Sequence, residues 1–139
     1  MKVYIAAPLY CAYELDYNLK IDTCLRENGF DTYLPQRDGG VVSEMPDIVD
    51  GMPKAEYVFK KDLEAMDRSD VFLFLLDGRV PDEGACVALG YFYSSGKPCV
   101  GLKTDTRSLV NGEDNLMISM ALRKICHNKE ELLEYLKSC

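Results

Sequence analysis

The chain has 139 residues, 47% hydrophobic and 28% charged, within the range of one globular domain that buries a core without disulfide or metal staples. Sixteen Lys and Arg against twenty-three Asp and Glu leave a net charge of −7, which repels a phosphate backbone and argues against nucleic-acid binding. No apolar run approaches the roughly 18 residues of a membrane helix.

The N-terminus enters Val3-Tyr4-Ile5-Ala6-Ala7 and meets Pro8 too early for a signal peptide, so a cytoplasmic location is expected. Cysteines stand at 11, 24, 86, 99, 126 and 139, without CxxC spacing and mostly inside apolar stretches. They are expected to be reduced core thiols and not a disulfide framework or a zinc site.

In chain order, Lys2 to Ala7 reads as a strand. Tyr13 to Asn28 reads as a helix with Tyr17, Ile21, Cys24 and Leu25 on one face and a stop at Gly29. Asp31 to Leu34 is a second strand, and Pro35 to Pro53 is irregular. Ala55 to Ser69 is a helix with Ala55, Val58, Phe59 and Met66 on its apolar stripe. Val71 to Leu76 is apolar at every position, the mark of a strand buried on both faces of a parallel sheet. A helix from Gly84 to Ser95 ends before Gly96. Cys99 to Leu102 is a strand, Thr104 to Asp114 is irregular, Arg123 to Cys126 is the last strand, and Lys129 to Lys137 closes the chain. The alternation is α/β. With right-handed crossovers the simplest topology is a flavodoxin-like, doubly wound, five-stranded parallel sheet forming a single domain over residues 1–139.

Ligands of such sheets bind outside the C-terminal strand ends, so Pro8 to Cys11, the Pro35 loop, Asp77 to Gly84 and the Thr104 loop are expected to face the crevice. Two features there carry chemistry. Asp62 lies four residues after Val58 and four before Met66, in the middle of an apolar stripe, where a carboxylate needs a hydrogen-bond partner, a cation or a ligand hydroxyl; a structural network or a partly exposed edge of the stripe is the alternative. Asp77, Asp82 and Glu83 crowd one strand exit. Asp82 or Glu83 fits a helix N-cap, and the alternative is a group of acceptors converging on a polyhydroxy ligand such as a sugar.

No GxxxxGK[ST] or GxGxxG occurs, and the first strand ends in apolar residues instead of clustered acids. These features exclude a P-loop, a dinucleotide fingerprint and a phosphoacceptor site. His127 is the only histidine and reads as a solvated loop residue. No metal-ligand spacing is visible, so no metal or redox cofactor is expected.

Several segments, in this order and spacing, resemble the nucleoside 2-deoxyribosyltransferase family. They are Val3-Tyr4-Ile5-Ala6-Ala7-Pro8-Leu9-Tyr10, Lys61-Asp62-Leu63 with Ser69-Asp70-Val71, and Asp77-Gly78 through Pro81-Asp82-Glu83-Gly84. Leu89-Gly90-Tyr91, Gly96-Lys97-Pro98 and Asn115-Leu116-Met117 follow. The resemblance implies cleavage of the N-glycosidic bond of a 2'-deoxynucleoside and transfer of the deoxyribosyl group to another base. It also implies a homo-oligomer in which a neighbouring subunit completes each site. The implied mechanism is double displacement through a Glu ester, and the family's Glu lies directly before a Leu-Gly or similar pair.

Here that position is Ala88. Two explanations fit: a deliberate Glu-to-Ala replacement that traps intact substrate, or a natural relative that has lost the transferase chemistry. The otherwise complete matching positions favour the first, and the chain is expected to bind and barely react. By the same resemblance Asp82 is the general acid/base, Asp62 holds the deoxyribose hydroxyls, and Tyr4 positions the nucleophile. Gln36 is placed to read a base, Asn115 reaches the sugar hydroxyl of a neighbouring subunit's ligand, and Leu9, Tyr10, Gly84 and Met117 are further substrate-binding positions. Related 5'-monophosphate hydrolases carry Ser where Asn115 stands, so that Asn and the lack of a basic cluster favour a nucleoside over a nucleotide. The remaining alternatives are an N-glycoside hydrolase and a non-catalytic nucleoside-binding protein.

Overall fold

The computed structural model describes residues 1–108 and 111–139. The elements run β1 (Lys2–Ala6), α1 (Ala12–Glu27), β2 (Asp31–Tyr33), β3 (Ile48–Val49), β4 (Met52–Pro53), α2 (Lys54–Asp67), β5 (Val71–Leu75), α3 (Glu83–Ser94), β6 (Cys99–Leu102), α4 (Leu116–Ala121), β7 (Lys124–Cys126) and α5 (Lys129–Ser138). Five parallel strands in the order β2-β1-β5-β6-β7 form the main sheet, the expected flavodoxin-like winding. β5 lies at its centre with all five residues buried, which is why its sequence shows no alternation.

Side chains alternate across the sheet and feed two cores. Val3, Ile5, Leu73 and Leu75 pack with Ile21 and Leu25 of α1 and Leu132 and Leu136 of α5. Tyr4, Ala6, Phe72 and Phe74 pack on the other face with Ala65 and Met66 of α2 and Ala85, Leu89 and Phe92 of α3. Gly29 follows α1 at φ 85°, a left-handed backbone that ends the helix as expected.

Residues 35–53 are more ordered than their composition suggests. Pro35–Gly39 makes one π-helical turn, Val42–Glu44 a 3₁₀ turn, and β3 and β4 pair antiparallel. Asp50 and Gly51, both at positive φ, form the two-residue turn of that hairpin. Asp-Gly is a strong hairpin signal, here flanked by strands of only two residues that give little alternation to read. Leu109 and Val110, in the Thr104 to Asp114 stretch expected to be irregular, lie outside the described residues.

The expectation of core thiols holds for Cys99 and Cys126 alone. Cys24 and Cys86 are half-buried, Cys11 and Cys139 are exposed, and all six are free. Cys11 stands at the N-cap position of α1 and Cys139 ends the chain, positions where no second layer covers the side chain. No helix among the described residues is long and apolar enough to cross a membrane.

Candidate active site

The floor of the site comes from the sheet. Parallel register sets Tyr4 directly beside Tyr33 on β2 and Phe72 on β5. The rings stack, with centroids 5.3 Å apart at 14° for Tyr4 and Tyr33 and 5.8 Å at 9° for Tyr4 and Phe72. Such a stack fixes the ring planes and carries the Tyr4 and Tyr33 hydroxyls to the same side of the sheet.

Two helices make the walls. From α2, Phe59, Asp62, Leu63 and Met66 face inward at helical spacing; from α3, Gly84, Ala85, Val87, Ala88 and Tyr91 do so. Leu9, Tyr10 and Pro35 form the rim over the C-terminal ends of β1 and β2. Together with Tyr4 and Asp82 they enclose a cleft of about 670 Å³, of small-molecule size and lined mainly by apolar groups.

The polar groups in it are few and individually held. The Tyr33 hydroxyl donates to Asp62 Oδ1 at 3.1 Å. Burial pushes the Asp62 carboxyl up, the Tyr33 hydrogen bond and Lys61 pull it back, and the net displacement is upward. Burial, with the Asp62 charge and Tyr33 beside it, pushes the Tyr4 phenol well above its ordinary value, so it stays a hydroxyl donor. Asp82 is the N-cap of α3 and accepts from the Ala85 N–H at 2.8 Å while its carboxylate lines the cleft. A Cβ at Gly84 would lie 3.3 Å from Asp82 Oδ2, so glycine there leaves the carboxylate its room.

Tyr4, Leu9, Tyr10, Asp62, Asp82, Gly84 and Ala88, all singled out from the sequence, meet in this cleft. Gln36 does not. Its Oε1 accepts from Asn18 Nδ2 at 2.9 Å and its Nε2 donates to the Leu15 carbonyl at 3.0 Å. Asn18 also donates to the Pro8 carbonyl, so the Gln36 amide braces the loops after β1 and β2 against α1 and does not line the cleft. Asn115 and Met117 also lie away from this cleft. Asn115 caps α4, accepting from the Met117 N–H at 2.9 Å, and lines a small separate recess with Arg79 and Lys103; Met117 is exposed.

Three expectations about the loops and α2 change. Asp77 turns to the exit of β6, accepting from the backbone N–H groups of Thr104 and Asp105 at 2.6 and 2.8 Å, and does not join Asp82. Thr104 and Asp105 therefore brace the β5 exit, and among the described residues none of that loop lines the cleft. The apolar stripe of α2 is not a core stripe: Met66 is buried, but Ala55 in the first turn is exposed and Phe59 is exposed where the face opens on the cleft. Asp62 is thus at the cleft-facing edge of α2. Phe59, Asp62, Leu63 and Met66 follow i, i+3, i+4, i+7 spacing, as do Gly84, Val87, Ala88 and Tyr91, so the companions of Asp62 and Ala88 were recoverable from that period. Tyr33 carries no local signal, since it reaches the site only through its register with Tyr4.

The family model for nucleoside 2-deoxyribosyltransferases matches residues 3–134. A comparison with curated proteins gives no match. Among solved structures, a 2-deoxyribosyltransferase from Bacillus psychrosaccharolyticus superposes with a TM-score of 0.80 at 24% identity, covering 97% of this chain and 92% of that one. A conserved protein from Enterococcus faecalis V583 gives 0.81 at 25% identity, covering 99% and 97%. A CMP N-glycosidase from Clostridium botulinum gives 0.62 at 16%, covering 99% of each chain, a likeness of fold. With the family model spanning nearly its whole length, and Tyr4, Leu9, Tyr10, Asp62, Asp82, Gly84 and Ala88 gathered in one cleft, this chain belongs to the nucleoside 2-deoxyribosyltransferase family.

Proposed function

We propose that this site transfers a 2-deoxyribosyl group between nucleobases when a carboxylate occupies position 88, and that the present chain binds nucleoside without appreciable turnover. The observation that carries the reading is the convergence of Tyr4, Asp62, Asp82 and the Ala88 methyl on one cleft. In the first step a Glu carboxylate at 88 attacks C1' of the deoxyribose. The C1'–N bond breaks as the C1'–O ester forms, and Asp82 supplies a proton to the departing base. In the second step a nitrogen of the incoming base attacks C1', the ester C–O bond breaks, the carboxylate is regenerated and the base's proton passes to Asp82. It is the two-step course of a retaining glycosidase with a base in place of water.

The other groups have positional work. Asp62, one oxygen held by Tyr33, accepts from a sugar hydroxyl, and Tyr4 donates to the carboxylate at 88. Alanine offers no nucleophile, and Glu83, exposed in the first turn of α3, points its charge to solvent. Asn115 and Met117 are assigned to a neighbouring subunit's site; the exposed Leu116, Met117 and Met120 of α4 give this face apolar surface for such an assembly. The second reading, a non-catalytic nucleoside-binding protein, is favoured by one residue, Ala88 itself.

The test is base exchange by the Ala88→Glu protein beside the present chain, with a 2'-deoxynucleoside donor and a free acceptor base, products separated by chromatography. Exchange by the variant alone is the expected result. Free deoxyribose whatever the acceptor would make the protein a hydrolase, and binding without reaction by both would make it a binding module.

A further inference from the structure

We propose that Tyr33 is a positioning residue for sugar recognition, holding one oxygen of the Asp62 carboxylate so that the rest of that carboxylate receives a deoxyribose hydroxyl. The inference rests on the nucleoside reading for its ligand but not for the contact between the two side chains. The Tyr33 hydroxyl is 3.1 Å from Asp62 Oδ1 and spans from β2 to α2. Its ring is not free to move. It stacks on Tyr4, which stacks on Phe72, and Phe72 in turn meets Phe92 of α3 at 5.5 Å between centroids. The ring that orients Asp62 is therefore packed against the ring that carries the Tyr4 hydroxyl.

The π-helical turn passes beside the contact: Gly39 is buried, and a Cβ there would lie 3.5 Å from the Tyr33 oxygen and 3.7 Å from Asp62 Oδ1, so the turn faces the pair with about the width of one carbon between them. An aspartate in such a place has two rotatable bonds and strong reason to seek water. A donor fixed by three stacked rings removes that freedom before the ligand arrives. The charged and titratable groups facing Asp62 are Tyr4 from β1, Tyr33 from β2, Lys61 on its own helix and, across the cleft, Asp82; Asp38 and Tyr57 act on Tyr33. Among the described residues only Tyr33 is within hydrogen-bond distance of the Asp62 carboxylate.

Tyr33→Phe keeps the stacked ring and deletes the oxygen. Isothermal titration of the present chain with 2'-deoxyadenosine and 2'-deoxycytidine should give a Kd raised about tenfold in Tyr33→Phe. In an Asp62→Asn background the same change should alter Kd less than about twofold, because Tyr33 acts through the carboxylate. The 2',3'-dideoxy and 2',5'-dideoxy forms identify the hydroxyl concerned: the analogue lacking it should be indifferent to Tyr33→Phe. Equal losses in both backgrounds, or with every analogue, would overturn the proposal in favour of a general packing role. Independently of any ligand, the Asp62 carboxyl followed by carbon-13 NMR should titrate at higher pH in Tyr33→Phe. An unchanged titration would also overturn it. Should neither nucleoside bind any of these proteins while the titration moves, the nucleoside reading fails and the hold of Tyr33 on Asp62 stands.

Discussion

Asp82 caps α3 and, in the proposed mechanism, exchanges a proton with the base, and substitution separates the two. As the N-cap of α3 its carboxylate satisfies the Ala85 N–H at 2.8 Å, and replacing such a cap by alanine costs about 1 kcal/mol. For a 139-residue domain the unfolding entropy is about 0.3 kcal/mol/K, so Asp82→Ala should lower Tm by about 3 °C. Asn caps about as well as Asp but lacks the charge that the helix N-terminus favours, so Asp82→Asn should lose only a few tenths of a kcal/mol. Its effect on chemistry should be the reverse of small. Introduced beside Ala88→Glu, it leaves an amide that cannot exchange a proton with the base, and exchange should fall about 100- to 10,000-fold. Scanning calorimetry and chromatographic base exchange on the same two variants decide the matter. Full exchange by Asp82→Asn would refute the acid/base role, and an unchanged Tm for Asp82→Ala would refute the cap.

Three further outcomes follow from the packing and the charges. Phe72 is fully buried at the middle of the aromatic stack, so Phe72→Ala should cost about 3–5 kcal/mol in urea denaturation; a loss under about 1.5 would mean the stack collapses readily onto the gap. Burial raises the Asp38 carboxyl, but the Arg37 side chain and the Leu34 N–H outweigh it and hold it below the ordinary carboxylate range. Its contribution to stability is therefore full above the unfolded value and lost as pH falls through the folded one, and Asp38→Asn should flatten that acid limb of the stability curve. Asp62 behaves oppositely. Its upward displacement means that nucleoside affinity, measured by calorimetry, should fall on acidification before ordinary carboxylates titrate, while protonation relieves the fold of a buried charge. Affinity independent of pH through that range would show that the ionised form is not the one that binds.

The sequence located the five strands of the main sheet, their exits and the four longer helices because these are local or one-dimensional signals; α4, six residues with no buried side chain, gave no amphipathic period and was missed. The unbroken apolar run Val71 to Leu76 has the length and composition of an inner strand, Gly29 and Gly96 mark helix stops, and Asp82 or Glu83 before a helix reads as a cap, of which the structure uses Asp82. Boundaries moved by about a residue, as with β1 ending at Ala6 and β5 at Leu75. The residues on Asp62's and Ala88's helical faces were in principle readable from spacing. Their exposure was not, because an apolar stripe has the same period whether it faces a core or an open cleft.

Composition, periodicity and capping chemistry thus determined by themselves an acidic α/β chain with a cleft at the C-terminal strand ends, and the order of motifs named the family. Tertiary structure alone decided which polar groups look into the cleft. Asp77, Asp82 and Glu83 leave the same strand exit, yet one braces Thr104, one caps α3 beside the cleft and one meets solvent. Gln36 was spent on Asn18 and Leu15, and Tyr33 was brought to Asp62 by strand register. The reason is physical: a side chain's local preference states which partners it accepts, whereas the partner it receives is set by whichever backbone and side chain the fold delivers within hydrogen-bonding distance.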